Sequence, residues 1–294
     1  MKMVLVDAYS QIFRGFYAIM HLTDSRGEPT NAIFAFAKLL LQLERDYPST
    51  LGAMAFDCGK VAFRLEIAPE YKGNRSPTPP ELLAQIPVIR DLAQAFGWPI
   101  VEQNNFEADD LIAGAVKHFA DSTTAIISSD KDLAQLVNEH VSLYRPCKPA
   151  GFERWQAAQV VEGFGVKPEQ IVDYLSLLGD TADNISGVAG IGKKTAAVIL
   201  NEVGSLAEFY ENPELVSSAK SREKLLAGRE VVEKNRKLIA LRDDLPEDLQ
   251  SATVWRRQSP DWAKIREICT QKELKSILKD LPGSAEKVAV DLFA

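Results

Sequence analysis

The sequence predicts an α/β fold: a mainly parallel central sheet flanked by helices, followed by a helical region. Three observations predict it. Short apolar runs of strand length alternate with helical apolar spacing up to about residue 145. After about residue 150 the strand signal fades, and short helices punctuated by Gly and Pro take over. Several of the early runs stop at an acidic residue, as expected of strands that deliver side chains to one edge of a parallel sheet.

In chain order, Met3–Val6 reads as a buried strand closed by Asp7. Asn31 to about Leu43 has helical spacing. Leu51–Phe56 is a second strand, closed by Asp57. From Arg64 to Pro80 apolar content falls while Pro, Gly, Arg and Lys rise, which suggests a mobile, arch-like excursion. Glu81–Phe96 returns to helical periodicity, Pro99–Glu102 is a short strand, and Glu107–Phe119 is a helix with an acidic start. Thr124–Ser128 is a β-branched strand, followed by Asp130 and a helix to about Val137. Val141–Tyr144 is one more strand. Gln170–Leu178, Lys193–Val203 and Glu223–Leu241 are the later helices. The expected organisation is a catalytic α/β domain over 1–165 with the arch at about 64–90, a helical region over 166–250, and a helical tail over 251–294.

The chain has 294 residues and 46% hydrophobic content, enough for a substantial buried core. Three widely spaced cysteines (Cys58, Cys147, Cys269) suggest neither a disulfide framework nor a zinc site. The three histidines (His21, His118, His140) form no HExxH, so zinc hydrolysis is not expected. The apolar run at the start is too short for a signal peptide or a membrane span, so a cytoplasmic protein without membrane partners is expected. The net charge of −7 argues against nucleic-acid binding by itself. Setting aside nine clustered carboxylates leaves −7 + 9 = +2, so the rest of the surface need not repel a polyanion.

Those nine are Asp7, Asp57, Glu107, Asp109, Asp110, Asp130, Asp132, Asp180 and Asp183. Singly, each has a bland reading as a helix cap or a strand end. Their coincidence on one expected rim changes the argument. Converging carboxylates repel one another and raise one another's pKa unless cations lie between them. Hard oxygen donors in that number suit Mg2+ or Mn2+, and such ions suit chemistry on phosphate esters.

A second pattern follows Asp180 and Asp183. Ile185 to Leu200 reads as a helix–hairpin–helix with apolar anchors Ile185, Val188, Ile191, Ile199 and Leu200. Gly187, Gly190 and Gly192 let backbone approach a phosphate, with Lys193, Lys194 and Thr195 opening the next helix. The bland alternative is a glycine-rich turn between packed helices. In the 64–80 segment, Lys72 and Arg75 can meet phosphates and Tyr71 can stack on a base; a solvated charged loop is the alternative. Tyr9, Phe13, Phe16 and Tyr17 form an aromatic stripe that reads mainly as core, and Arg14 within it can reach a phosphate or an acid.

Taken together, these blocks resemble the 5′ nuclease family: the 5′→3′ exonuclease domain of bacterial DNA polymerase I, its stand-alone relatives, phage 5′ nucleases and flap endonucleases. Val6-Asp7, Ser10 with Arg14, Gly27-Glu28-Pro29-Thr30, Phe56-Asp57, Tyr71-Lys72 with Arg75, Glu107 through Asp110, Asp130-Lys131-Asp132, and Gly179 through Ala196 carry the likeness. The resemblance implies a PIN-like sheet, a helical arch and a helix–three-turn–helix. It implies one metal position bounded by Asp7, Asp57, Glu107 and Asp109, and a second bounded by Asp130, Asp132 and Asp180, with Asp110 and Asp183 close by. Lys72 and Arg75 would be catalytic, at the base of the arch. Arg14, Tyr71 and Gly187 to Thr195 would touch DNA, with K+ often held at the hairpin. This chain departs from the family pattern at Ala8 and Ser129, where Gly is usual, and at Ser186 and Ala189, where Pro is usual.

The expected activity is a two-metal, Mg2+-dependent (Mn2+-substitutable) 5′→3′ exonuclease and flap endonuclease. It would act as a nucleoid-associated monomer on flapped, nicked, overhanging or RNA-primed DNA, beside a separate polymerase. The ions would lie about 4 Å apart, and products would carry 5′-phosphate and 3′-hydroxyl. A PIN-type ribonuclease accounts for the acids but not the hairpin. A non-catalytic structure-specific DNA-binding module accounts for the hairpin but not the acids.

Overall fold

The computed structural model describes residues 2–59, 61–147 and 151–283. Its elements in order are β1 (Lys2–Asp7), α1 (Ala8–Ala18), α2 (Asn31–Asp46), β2 (Leu51–Ala55), α3 (Ala62–Ile67), α4 (Pro80–Leu83), α5 (Ile86–Ala95), β3 (Ile100–Val101), α6 (Ala108–His118), β4 (Thr123–Ile127), β5 (Val141–Pro146) and β6 (Phe152–Trp155). These are followed by α7 (Ala157–Phe164), α8 (Ile171–Leu178), β7 (Gly179–Asp180), β8 (Ile185–Ser186), α9 (Lys193–Val203), α10 (Leu206–Glu211), α11 (Ala219–Ala227), α12 (Arg229–Ile239), α13 (Trp262–Gln271) and α14 (Lys275–Asp280).

The main sheet has the order β3-β2-β1-β4-β5-β6. Pairings from β3 to β5 are parallel, and β6 adds an antiparallel edge. The strand order reverses at β1, between β2 and β4. In a sheet of this kind the crevice beyond the carboxyl end of the switch strand is where ligands bind. Pairing sets Asp7 beside Ala55, and Val6 beside Ile127, so residues just past β2 and β4 flank the end of β1.

β1 is apolar on both faces because it is covered on both. Met3 and Leu5 belong to one buried cluster with Leu111, Ile112, Ile126 and Leu143, which continues into α8 and α9. Val4 and Val6 belong to the other, with Ile12, Phe36, Leu40, Ile89 and Ile265. Helices on both faces thus hold the strand ends level.

Several expected boundaries shift. The segment expected as an arch at about 64–90 is anchored on both sides, while Gly73, Asn74, Arg75, Ser76 and Pro77 between them are exposed. Arg64 is 1% exposed, and Leu82, Ile89 and Leu92 are fully buried. Asn74 Nδ2 donates to Thr181 O, and Lys72 N to Asp183 O, which ties the connecting turn to the acidic rim. The helix expected after Asp130 is a 3-10 turn, Asp132–Leu136. The hairpin β7–β8 was not foreseen; two-residue strands carry too little pattern to register. The region expected as a tail supplies α13 and α14, and Ile265, Cys269 and Ile277 join the second core cluster. The expectation for 284–294 lies outside the described residues. No helix among the described residues is long and apolar enough to cross a membrane.

Candidate metal and phosphate site

Asp7 ends β1 and caps α1. Its Oδ1 accepts from Ser10 N at 3.0 Å and its Oδ2 from Ser128 Oγ at 2.7 Å. Burial pushes its pKa up to about 7, against the lowering effect of those hydrogen bonds. Asp57 follows β2, and its Oδ1 accepts from Ala108 N at 2.8 Å, fastening the start of α6 to the end of the second strand.

Glu107 and Asp109 open α6. Lys72 Nζ lies 2.6 Å from Glu107 Oε1, and Tyr71 donates to Glu107 Oε2 at 3.1 Å. Burial, then the Glu107 and Asp110 charges, hold Asp109 well above the usual carboxylate range. Glu107, Asp109 and Asp110 each place one oxygen within 4.8 Å of the others.

Asp110 has a second set of partners. It is fully buried, and its two oxygens lie 2.6 and 2.7 Å from the Arg64 guanidinium, which also reaches Leu238 O at 3.0 Å. Its carboxylate also accepts from Glu107 N and Arg242 N. Asp110 is therefore saturated by protein donors and acts here as a strut behind Glu107. The same geometry explains Arg64, which the sequence hid inside a short apolar helix.

On the other flank, Asp130 Oδ1 accepts from Asp132 N at 2.9 Å. Asp132 Oδ1 is buried with no hydrogen-bond partner. Burial, then Asp130 and Asp180, raise the Asp132 pKa well above its ordinary value. Asp180 sits on β7 and pairs with Lys131 at 2.9 Å. Asp183, in the β7–β8 turn, pairs with Arg75 Nη2 at 2.5 Å and accepts from Tyr71 at 3.1 Å.

Of these acids, Asp7, Asp57, Glu107, Asp109 and Asp130 line a cleft of about 360 Å³, whose walls also include Arg14, Lys72 and Arg75. A larger concavity, about 960 Å³, lies on the outer side of α1 and α2 among Leu39, Leu41, Phe152 and Trp262. The acidic cluster is absent from its walls. The donor set of the smaller cleft is all oxygen. Among the described residues, Asp7, Asp57, Asp109, Asp130 and Asp132 have no ion pair. That excess of carboxylate, with the orphaned Asp132 oxygen, fits hard divalent cations.

Tyr71 corrects its expected role. It is 8% exposed, with its hydroxyl on two acids and Lys72 Nζ 5.0 Å from its ring, so the ring cannot stack on a base. Lys72 itself has φ +55, a left-handed conformation uncommon for a lysine. Arg14 is exposed at the cleft edge. The aromatic stripe divides: Tyr9 packs edge-on to Phe56 at 5.6 Å, while Tyr17 is 65% exposed.

In the hairpin, Gly187 is packed. A Cβ there would lie 2.3 Å from the Leu178 carbonyl group, so close backbone packing requires this glycine. Gly190 has φ +73, and its carbonyl accepts from Lys224 Nζ at 2.7 Å. Gly192, Lys193 and Lys194 are exposed and Thr195 half-buried at the start of α9, whose first amides have no side-chain cap.

Known proteins bear on this arrangement. The family described as 5′-3′ exonuclease, N-terminal resolvase-like domain, matches residues 2–165, and 5′-3′ exonuclease, C-terminal SAM fold, matches 166–263. A 5′-3′ exonuclease of Aquifex aeolicus (strain VF5) is 36% identical over 280 residues, 94% of each chain. DNA polymerase I of Bacillus caldotenax is 36% identical over 292 residues, but the chain spans only 33% of that protein's length. Among solved structures, T5 5′-exonuclease with bound zinc ions aligns with a TM-score of 0.70 at 23% identity, covering 95% of this chain and 98% of that one. The catalytic core of Rad2 in complex with DNA aligns with a TM-score of 0.65 at 17% identity, covering 97% of this chain and 92% of that one. Both structural likenesses concern the fold. With both family domains matched end to end over an acid-ringed crevice, the chain belongs to the 5′-3′ exonuclease family.

Proposed function

We propose that the protein is a structure-specific nuclease that hydrolyses phosphodiesters near the 5′ ends of flapped, nicked or RNA-primed DNA. The observation that carries the proposal is the convergence of Asp7, Asp57, Glu107, Asp109 and Asp130, from four separate stretches of chain, on one crevice, beside the cations Lys72 and Arg75. Asp7, Asp57, Glu107 and Asp109 would hold one divalent ion, and Asp130, Asp132 and Asp180 a second, with Asp183 beside them. Mg2+ is the expected ion, and Mn2+ a substitute. Bound there, such ions supply Lewis acidity for activating water and neutralising phosphate charge.

The chain's own groups do the rest. Lys72 and Arg75 are held on Glu107 and Asp183, and swing to the scissile phosphate as its charge grows. Their carboxylate partners are then released for cations. Asp110 and Arg64 keep Glu107 in place. Lys193, Lys194 and the α9 amides hold duplex backbone without reading sequence. The T5 flap endonuclease seen with DNA and metal ions supports this use of the fold. Products with 5′-phosphate and 3′-hydroxyl ends follow from in-line attack by water with the 3′ oxygen as the leaving group.

The test is a gel assay of 5′-labelled flap, nicked and blunt DNA, and of single-stranded RNA, in Mg2+, Mn2+ or EDTA. Cleavage of the flap in Mg2+, its loss in EDTA, and its loss in Asp130→Asn are expected. Preference for single-stranded RNA would favour a ribonuclease. Undiminished cleavage by Asp130→Asn would overturn the metal assignment.

A further inference from the structure

One pair of side chains on the rim has no part in that scheme. Ser10, in the first turn of α1, and Ser129, between β4 and Asp130, have hydroxyl oxygens 2.7 Å apart. Both line the cleft that contains Asp7, Asp109 and Asp130. Ser129 is exposed and Ser10 half-buried. Ser129 stands where the resemblance leads one to expect glycine, so its hydroxyl is a feature of this chain.

The two hydroxyls carry two protons. One is consumed in the contact between them. No hydrogen bond among the described residues uses the other. Ser10 Oγ accepts from Ser129 N at 3.0 Å, with Gln11 Nε2 at 3.5 Å. Either hydroxyl can donate in that contact, so one proton of the pair stays uncommitted, and Ser129, the exposed member, is the one placed to present it to the cleft. Among the described residues no hydrogen bond joins either hydroxyl to Asp7, which accepts from Ser10 N and Ser128 Oγ.

An anionic substrate in an acid-lined cleft needs donors on both walls. Lys72 and Arg75 furnish one wall. The α1–β4 wall offers Arg14, which has no ion pair among the described residues, and this serine pair. We infer that the Ser10–Ser129 pair is a phosphate subsite: Ser10 orients Ser129, whose O–H donates to a non-bridging oxygen of the phosphate adjacent to the scissile one. The inference rests on the nuclease reading. The competing account is that Ser129 merely ties β4 to α1 through its amide.

Ser129→Ala and Ser129→Gly separate the two, since both keep the amide and lose the hydroxyl. The measurement is single-turnover cleavage of a 5′-flap DNA in Mg2+. It is repeated on flaps with one neutral methylphosphonate placed in turn on either side of the scissile phosphate. Each variant should cut the all-phosphate flap about tenfold more slowly than wild type, the size of a lost hydrogen bond to a charged oxygen. Duplex affinity should change by less than about twofold, and Ser129→Thr should recover most of the rate. On one methylphosphonate flap the gap between wild type and variant should close. Equal rates for Ser129→Ala and wild type, or a tenfold gap that persists on both modified flaps, would overturn the subsite. A wild-type protein that leaves every flap intact would instead overturn the nuclease reading.

Discussion

The buried Arg64–Asp110 pair makes a demanding prediction. Arg64 and Asp110 side chains are 1% and 0% exposed, and the guanidinium holds the carboxylate through two contacts of 2.6 and 2.7 Å. Arg64→Met removes one charge and strands the other. Breaking one side of a buried pair costs about 3–5 kcal/mol, because the remaining ion has neither solvent nor partner. Here the stranded carboxylate keeps only the backbone donors Glu107 N and Arg242 N. Adding Asp110→Asn removes the stranded charge while its amide oxygen still accepts one of those bonds, so the double variant should regain about 1–3 kcal/mol. Urea unfolding in EDTA is the assay, followed by the fluorescence of Trp98 and Trp255, both buried. At roughly 2 °C per kcal/mol for a domain of this size, Arg64→Met should also melt about 6–10 °C lower. A loss under about 1 kcal/mol, or strict additivity in the double variant, would refute the strut.

Three further outcomes follow from the same geometry. With Asp7 raised from 3.8 to about 7 in the folded state, the fold binds the extra proton within that window, so its metal-free stability should fall as pH rises from about 4 to 7. Asp7→Asn should flatten that part of a pH series of urea midpoints; an unchanged slope would remove the assignment. Lys72→Ala should slow flap turnover at least about tenfold while duplex binding in an anisotropy titration stays within about twofold; equal losses in both would remove its catalytic role. Lys193→Ala with Lys194→Ala should weaken duplex binding and lower the slope of log K against log salt by about 1.8, two phosphate contacts at roughly 0.9 each; an unchanged slope would place the duplex elsewhere.

Legibility in the sequence followed signal length. β1, β2 and β4 could be read because buried strands are continuous apolar runs, and their closing aspartates could be placed because a parallel sheet gathers its strand ends. α9 was read at its observed bounds because a glycine precedes it and apolar spacing runs through it. The anchoring of the 64–90 segment could not be read because its composition resembles a loop while its contacts are long-range. Arg64 is pinned by Asp110 and Leu238, and Lys72 by Glu107 and Asp183, and no local pattern encodes those partners. Tyr71 failed for the same reason: a tyrosine beside lysine and arginine looks like a stacking residue until two distant acids take its hydroxyl. Asp110 is indistinguishable from Asp109 in sequence. One helical step separates a carboxylate that faces the cleft from one that faces an arginine.

The charge pattern also explains how such a rim survives without ions. Nine carboxylates face four paired cations, Arg64, Lys72, Arg75 and Lys131, which leaves five uncovered. Asp7, Asp109 and Asp132 are among the five, and each has its pKa raised chiefly by burial. Protons therefore do part of the neutralisation that divalent ions would do. The covered acids are Glu107, Asp110, Asp180 and Asp183; the buried Arg64 holds Asp110 and one oxygen of Glu107, and the remaining contacts are to lysine or arginine side chains that can leave. The cluster thus combines one fixed arginine, paired with Asp110 and Glu107, which keeps its shape, with labile pairs and protons that yield to metal. Competition of this kind requires divalent-ion affinity to rise with pH across the range in which Asp7 ionises. Calorimetric titration of Mn2+ at pH 6 and pH 8 should show tighter binding and fewer protons released at the higher pH, and pH-independent affinity would contradict it.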